Sequence, residues 1–247
     1  HHAHGLLASG FEALQHLFPD FVAELLQAGA LLSDLVGDVR WYQCGAYKAQ
    51  FASGLRGILC SRPLLESTVR RRVLAMPNVQ MFQGCAVLGL IASPDGSRIT
   101  GVRLRRGTDG SHDEVQADLV VDASGRGSKS PAWLAALGYD KPETVTVPIN
   151  AGSTSRLYRR KPEALSGALA AIISPRPPHQ KRSGVMMAIE HDRWIVTLSG
   201  RLGDHAPTDA PGYLAFAHSL AAPDIYDVIK DAEPLSEPVA YKFPASM

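Results

Sequence analysis

The stretch Ala117-Asp-Leu-Val-Val-Asp-Ala-Ser-Gly-Arg-Gly-Ser-Lys-Ser-Pro-Ala132 decides how this chain is read. Leu119, Val120 and Val121 form the short apolar run expected of a strand covered on both faces. Asp122 ends the run. Gly125 and Gly127 follow; glycine reaches positive φ without strain and leaves room for a ligand beside the backbone. Ser130 and Pro131 have the pattern of an N-cap and a first-turn proline, and Gly138 stands where the helix would end. Strand, glycine turn and helix, in that order, form the place where α/β proteins hold nucleotides.

Spacing alone leaves two readings of this stretch open: a ligand-binding turn, or a plain connection between strand and helix. Gly125-Arg-Gly127 is not the dinucleotide fingerprint, because the third glycine is missing and the stretch comes late in the chain. It is not a P-loop either, since no Gly-Lys-Ser/Thr follows a four-residue spacer.

Working outward, residues 6–28 read as helical, interrupted at Pro19-Asp20, and Trp41 to Phe51 as extended. Pro63 to Ala75 reads as a helix with Leu65, Val69 and Val73 on one face. Val79 to Phe82, Ala86 to Ala92 and Ile99 to Leu104 read as strands, with a hairpin turn at Asp95-Gly96. Thr108-Asp-Gly110 marks a further turn. Thr144 to Tyr158 and Ala168 to Ile173 read as strands, and Ser183 to Ser199 as a hairpin turning near His191-Asp192. Between them, Ser174 to Arg182 is a polar, proline-rich loop. Thr208 to Leu220 and Ile225 to Asp231 read as helices. The character changes near residue 143, which suggests domains at 1–142 and 143–247. No internal repeat or low-complexity tract is visible.

A chain of 247 residues makes one large or two modest domains. Its net charge of +1 gives no support for a nucleic-acid partner. No apolar run reaches the ~18 residues of a membrane span, and no leader-like start is visible. Cys44, Cys60 and Cys85 are odd in number and lack C-x-x-C spacing, so a reducing, cytoplasmic compartment is expected. His1, His2 and His4 have chelating spacing, but no further ligand follows at a fixed distance, so no metal site is expected.

Asp118-Leu-Val-Val-Asp-Ala-Ser-Gly-Arg-Gly-Ser128 resembles the second flavin motif of the FAD-dependent oxidoreductases related to para-hydroxybenzoate hydroxylase. That superfamily includes hydroxylases, epoxidases, geranylgeranyl reductases and flavin halogenases. Ser61-Arg-Pro-Leu-Leu-Glu66, running into Arg70-Arg-Arg-Val-Leu74, is similar to its Arg-x-x-Leu helix. His2-Ala-His-Gly-Leu-Leu7 is similar to the segment after the first βαβ unit of its bacterial members. A weaker likeness continues in Gly184-Val-Met-Met187 and Arg193 to Gly200.

The resemblance implies a mixed α/β (α+β) fold: a partial Rossmann-like FAD domain with an inserted β-meander, then a β-sheet substrate domain. It implies FAD as cofactor, with NAD(P)H as candidate electron donor. Arg62 would lie near the FAD phosphates or ribityl chain. Asp122 would accept from flavin sugar or ribityl hydroxyls. Ala123, Gly125 and Gly127 would let the backbone approach, Ser128 would donate to a phosphate or cap the turn, and His4 would lie in a loop near the flavin. Met186, Met187, Trp194 and Ile195 are core residues, or walls of a dry pocket over the flavin where they face it. No catalytic acid or base can be named.

The chain departs from the family in lacking Gly-x-Gly-x-x-Gly and in carrying Gly37-Asp38 and Gly203-Asp204 outside the family's Gly-Asp context. It therefore reads as an internal fragment, expected to bind FAD weakly and to be inactive alone. The leading expectation is a flavin monooxygenase, a hydroxylase or epoxidase acting on a hydrophobic small molecule. The alternatives are a geranylgeranyl reductase-type enzyme on the same fold and a non-catalytic α+β binding module.

Overall fold

A computed structural model of the protein describes residues 2–107 and 110–246. The helices and strands, in chain order, are α1 (Ala8–Leu17), α2 (Phe21–Gln27), β1 (Leu31–Asp34), β2 (Val39–Gln43), β3 (Ala46–Tyr47), β4 (Arg56–Leu59) and α3 (Arg62–Leu74). Then come β5 (Cys85–Ala92), β6 (Ile99–Arg106), β7 (Ser111–Gln116), α4 (Ser130–Ala136) and β8 (Val147–Arg159). β9 (Ala170–Ile173), β10 (Ser183–Ile189), β11 (Arg193–Gly200), α5 (Ala210–His218), α6 (Asp224–Ile229) and β12 (Val239–Ser246) complete the chain. The fold is mixed α/β, as expected. Thr108 and Asp109 of the turn expected before β7 lie outside the described residues.

The chain forms two compact units, one of His1–Met76 with Thr146–Met247 and one of Pro77–Val145. This differs from the two consecutive domains expected from sequence. The compact units divide after Met76 and again after Val145. Within the larger unit α1, α2 and α3 pack together with Ile58 and Cys60, while Val39 and Leu59 pack with Ala170, Met187, Ile189 and Ile195 of the later strands.

The larger unit is organised by a seven-stranded sheet in the order β12-β8-β11-β10-β9-β2-β3. Its neighbours are antiparallel except β2 and β9, which run parallel with Val39 opposite Ala170 and Tyr42 opposite Ile173. Side chains alternate across the strands. On β11, Trp194, Val196 and Leu198 join Tyr158, Met186, Ile173 and the buried residues of α5 and α6 in the main core. Ile195 joins Met187, Ile189 and Val39 in a separate cluster. Met186, Met187, Trp194 and Ile195 are thus all core. A third cluster packs Phe11, Phe21 and Leu25 of α1 and α2 against Ile58 and Cys60, under α3. Gly200 is required by packing: a Cβ there would stand 1.6 Å from the Asp204 carbonyl oxygen.

A buried carboxylate fixes the β2–β3 hairpin to α6. Asp224 accepts from Arg40 Nε at 2.6 Å and from the Tyr47 hydroxyl at 2.6 Å. At the sheet's outer edge, the β12–β8 register shifts between Phe243 and Ala245, around Pro244.

The smaller unit holds the antiparallel sheet β5-β6-β7 and α4. The β5–β6 turn passes through Gly96 at φ +70°, as Asp95-Gly96 predicted. Two expectations fail. Val79 to Phe82 is not a strand, and neither is Leu119 to Val121. The latter segment belongs to no sheet, and Leu119 and Val121 are each 77% exposed. A parallel strand needs neighbours on its edges, and the three strands of this unit pair only with one another. Among the described residues no helix is long and apolar enough to cross a membrane.

Two measurements check this packing. Trp194→Ala removes the largest fully buried side chain of the main core and is expected to cost about 3–5 kcal/mol in equilibrium unfolding. Cys44 is exposed and Cys60 is buried, with burial first and then the Glu190 charge pushing the Cys60 thiol up to about 12. Iodoacetamide at pH 8 should therefore label Cys44 in the native protein and reach Cys60 only after denaturation, as mass spectrometry will show.

Candidate functional site

The smaller unit carries a cleft of about 530 Å³ lined by Val87, Leu90, Val102, Val120, Trp133 and the turn after Val121. That turn is built around one carboxylate. Asp122 accepts from the Ser124 amide at 2.8 Å, the Ser124 hydroxyl at 2.6 Å and the Ser128 hydroxyl at 2.6 Å, and also from the Ser130 hydroxyl. The hydroxyls of Ser124, Ser128 and Ser130, with the Ser124 amide, hold its pKa well below the ordinary carboxylate value. The negative charge therefore collects three serines into a closed loop. Gly125 stands at φ +68°, where a side chain would strain the backbone, and Gly125–Gly127 forms a single 3-10 turn. Ser130 is not the N-cap that its spacing suggested. Lys129 caps α4 without a side-chain bond, and the Ser130 hydroxyl turns back to Asp122.

The larger unit carries a second cleft, of about 590 Å³, lined by His2, Ala3, His4 and Arg62 opposite Ser153, Val185, Thr197, Ser199 and Tyr241. Arg62 is the first residue of α3. Ser61 caps that helix by accepting from the Leu64 amide at 3.3 Å. The Ser61 amide in turn donates to the buried Glu190 carboxylate at 2.8 Å, and Arg193 donates to the same carboxylate at 2.8 Å. Burial alone would raise the Glu190 pKa, but bonds from Ser61, its own backbone and the Arg193 charge hold it below the usual value. Glu190 thus anchors the start of α3, and with it Arg62, to the β10–β11 hairpin. Arg62 Nε donates to Glu66 at 2.5 Å, which leaves its two Nη groups without a protein partner among the described residues. The surface ion pair is half exposed and contributes little to stability. A smaller cavity of about 190 Å³, lined by Leu6, Ile58, Cys60, Leu65 and Glu66, shares His4 and Arg62 with this cleft.

Of the residues expected to bind the cofactor, Asp122, Ala123 and Gly127 line the first cleft, and Arg62 and His4 line the second. Gly125 and Ser128 stand in the turn behind. The structure therefore divides them between the two units. Sequence reasoning missed the hydroxyl-bearing face of the second cleft. Its signal was present as alternating Ser153-x-Ser155 and Thr197-x-Ser199, which put polar groups on one side of two paired strands.

No family model matches the chain. Over most of its length the chain superimposes on solved flavoproteins. PqsL, a probable FAD-dependent monooxygenase from Pseudomonas aeruginosa, matches with a TM-score of 0.73 at 15% identity, over 98% of this chain and 63% of that one. The fold is that of the FAD-dependent monooxygenases. The flavin-dependent brominase Bmp2 matches with a TM-score of 0.69 at 14% identity, over 98% of this chain and 58% of that one. In sequence, the chain is 30% identical to Protein Rv3254 of Mycobacterium tuberculosis (strain ATCC 25618 / H37Rv), over 99% of this chain and 53% of that protein. The chain thus spans about half the length of this relative. Among the described residues no group of three His, Cys, Asp or Glu side chains could hold a metal.

The Asp122 loop gives a testable consequence of this fold. Asp122→Ala should speed amide hydrogen exchange across residues 124–130 by at least about tenfold, since each lost bond to a charged acceptor loosens the turn. Exchange in β8 to β11 should be unchanged.

Proposed function

We propose that this chain forms part of a FAD-dependent monooxygenase, a hydroxylase or epoxidase, acting on a small organic molecule with an apolar body. The observation that carries this reading is the glycine turn closed on Asp122, which opens on a 530 Å³ cleft in a chain with the flavin monooxygenase fold. PqsL has been solved with 2-aminobenzoylacetate, which supports a small-molecule substrate by analogy of fold.

The residues fit a flavin in part. No atom lies within 4 Å of where a Cβ of Gly127 would stand, so its backbone is open to a ligand. Gly127 and Ala123 would present backbone groups to the cofactor, and the Arg62 Nη groups would meet its anionic or ribityl portion. The Asp122 oxygens are engaged by their own loop, so in this reading Asp122 shapes the turn, and direct contact with a flavin hydroxyl requires a serine to give way. No glycine-rich turn of the Gly-x-Gly-x-x-Gly type is present to hold a pyrophosphate. Bound flavin would supply the redox chemistry, with NAD(P)H as the proposed electron donor. The protein's own residues would bind it, orient the substrate and exclude water.

The test is a titration of FAD into the purified chain, followed by flavin fluorescence. Weak binding is expected, with a dissociation constant above about 1 μM, weakened a further tenfold or more by Arg62→Ala. Stoichiometric submicromolar binding would show that the chain holds FAD by itself. No saturable binding, or binding that Arg62→Ala leaves unchanged, would remove the flavin reading.

A further inference from the structure

The second cleft contains a hydrogen-bond chain whose proton order can be worked out. The Ala3 amide donates to Thr197 Oγ1 at 2.8 Å. Thr197 Oγ1 lies 2.6 Å from Ser155 Oγ, and Ser155 Oγ lies 2.7 Å from His2 Nδ1. Ser155 and Thr197 are both buried, at 3% and 7% exposure. An amide can only donate, so the direction at one end is set. Thr197 accepts there and passes its own proton to Ser155. Ser155 then passes its proton to His2 Nδ1. In this order every proton of the chain has an acceptor. In the reverse order Thr197 would accept twice, and its own hydroxyl proton would have no protein partner among the described residues, which is costly at a buried side chain.

His2 Nδ1 is therefore an acceptor, and the neutral ring carries its proton on Nε2. Nδ1 faces the sheet, so Nε2 lies on the opposite edge of a ring that lines the cleft. Nε2 has no protein partner among the described residues. Tyr241 packs against the ring with centroids 5.7 Å apart and limits its tilt. Protonation at Nδ1 would reverse the whole chain. Burial, and after it neighbouring positive charge including His4, also holds the His2 pKa below its ordinary value.

We propose that His2 is a specificity-determining residue of this cleft: its Nε2–H donates to an sp² oxygen, a carbonyl or carboxylate, of the bound organic molecule. The ligand then combines an oxygen acceptor at His2 with an apolar body that the cavity of Leu6, Ile58, Cys60 and Leu65 can take. An ammonium at this point, having no acceptor, would face a fixed donor and be rejected. The inference rests on the proposed function, with the sheet of the larger unit taken as the part that holds the substrate.

Imidazole ¹⁵N spectra of the chain, recorded without flavin at pH 7.5, test it directly. His2, assigned by correlation of its ring to its own backbone resonances, should show the Nε2–H tautomer. Ser155→Ala should convert it to a mixture of tautomers. Acetophenone and benzoate should each shift the His2 Nε2 signal saturably, and toluene should not. The two acceptor probes should bind His2→Phe at least about tenfold more weakly. A predominant Nδ1–H tautomer, no saturable shift with either acceptor, or equal affinity in a folded His2→Phe would each overturn the proposal. The tautomer and the shifts are read on the unmodified chain, so they hold even if His2→Phe fails to fold. Since no FAD is added, a failed flavin titration and a failed tautomer assignment are separate results.

Discussion

The parallel pairing of β2 with β9 is the constraint on which the larger unit depends. It is the one parallel contact in the sheet, and parallel strands need a long connection between them. Here that connection runs from Gln43 to Ala170 and includes the entire smaller unit. The Leu169 amide donates to Asp38 and the Ser174 amide to Tyr42, so the pairing is closed at both ends. The Asp224 bonds to Arg40 and Tyr47 hold the same hairpin from its far side. With β2 locked in place, the segment from His2 through α3 stays against the later strands. Arg62 and His2 can then face Thr197 and Ser199 across one cleft, and Glu190 sets the start of α3 by a single backbone bond.

Much of the local structure was legible. The periodicity of Leu65, Val69 and Val73, the Asp95-Gly96 turn and the hairpin around His191-Asp192 are local signals, and all three correspond to observed elements. What failed was non-local. Leu119 to Val121 has the composition of a buried strand, but composition does not supply a partner. The boundary after Met76 carried only Pro77-Asn78, a signal that ends any helix; what makes it a boundary is the pairing of β2 with β9 across more than a hundred residues. The same holds for the site. Asp122, Arg62 and His4 were visible in motifs, whereas Glu190 and the hydroxyls of Ser155 and Thr197 matter through contacts between strands.

The sheet of the larger unit has one uniform face and one graded face. Trp194, Val196 and Leu198 stay apolar along β11 as they pack under α5 and α6. On the other face Ile195 is apolar and joins Met187 and Ile189, and then Thr197 and Ser199 are polar. Three alternate positions of β11, Ile195, Thr197 and Ser199, carry the transition from core to cleft. Alternation lets one strand build a dry core on one side while the opposite side changes character along its length. Cleft chemistry on this scaffold is therefore adjustable at Ser153, Thr197 and Ser199 without touching the main core.

The two ends of the seven-stranded sheet are poor templates for further strands. β3 is two residues long, and β12 is interrupted at Pro244, which has no amide proton to offer a neighbour. The segment from Asp118 to Val121 in the smaller unit has the opposite character. It belongs to no sheet and displays Leu119 and Val121 to solvent. Self-association through this segment would be governed by four residues that fold no part of the larger unit. A single charge placed at Leu119 would act as a gatekeeper there and leave the clefted sheet unaffected.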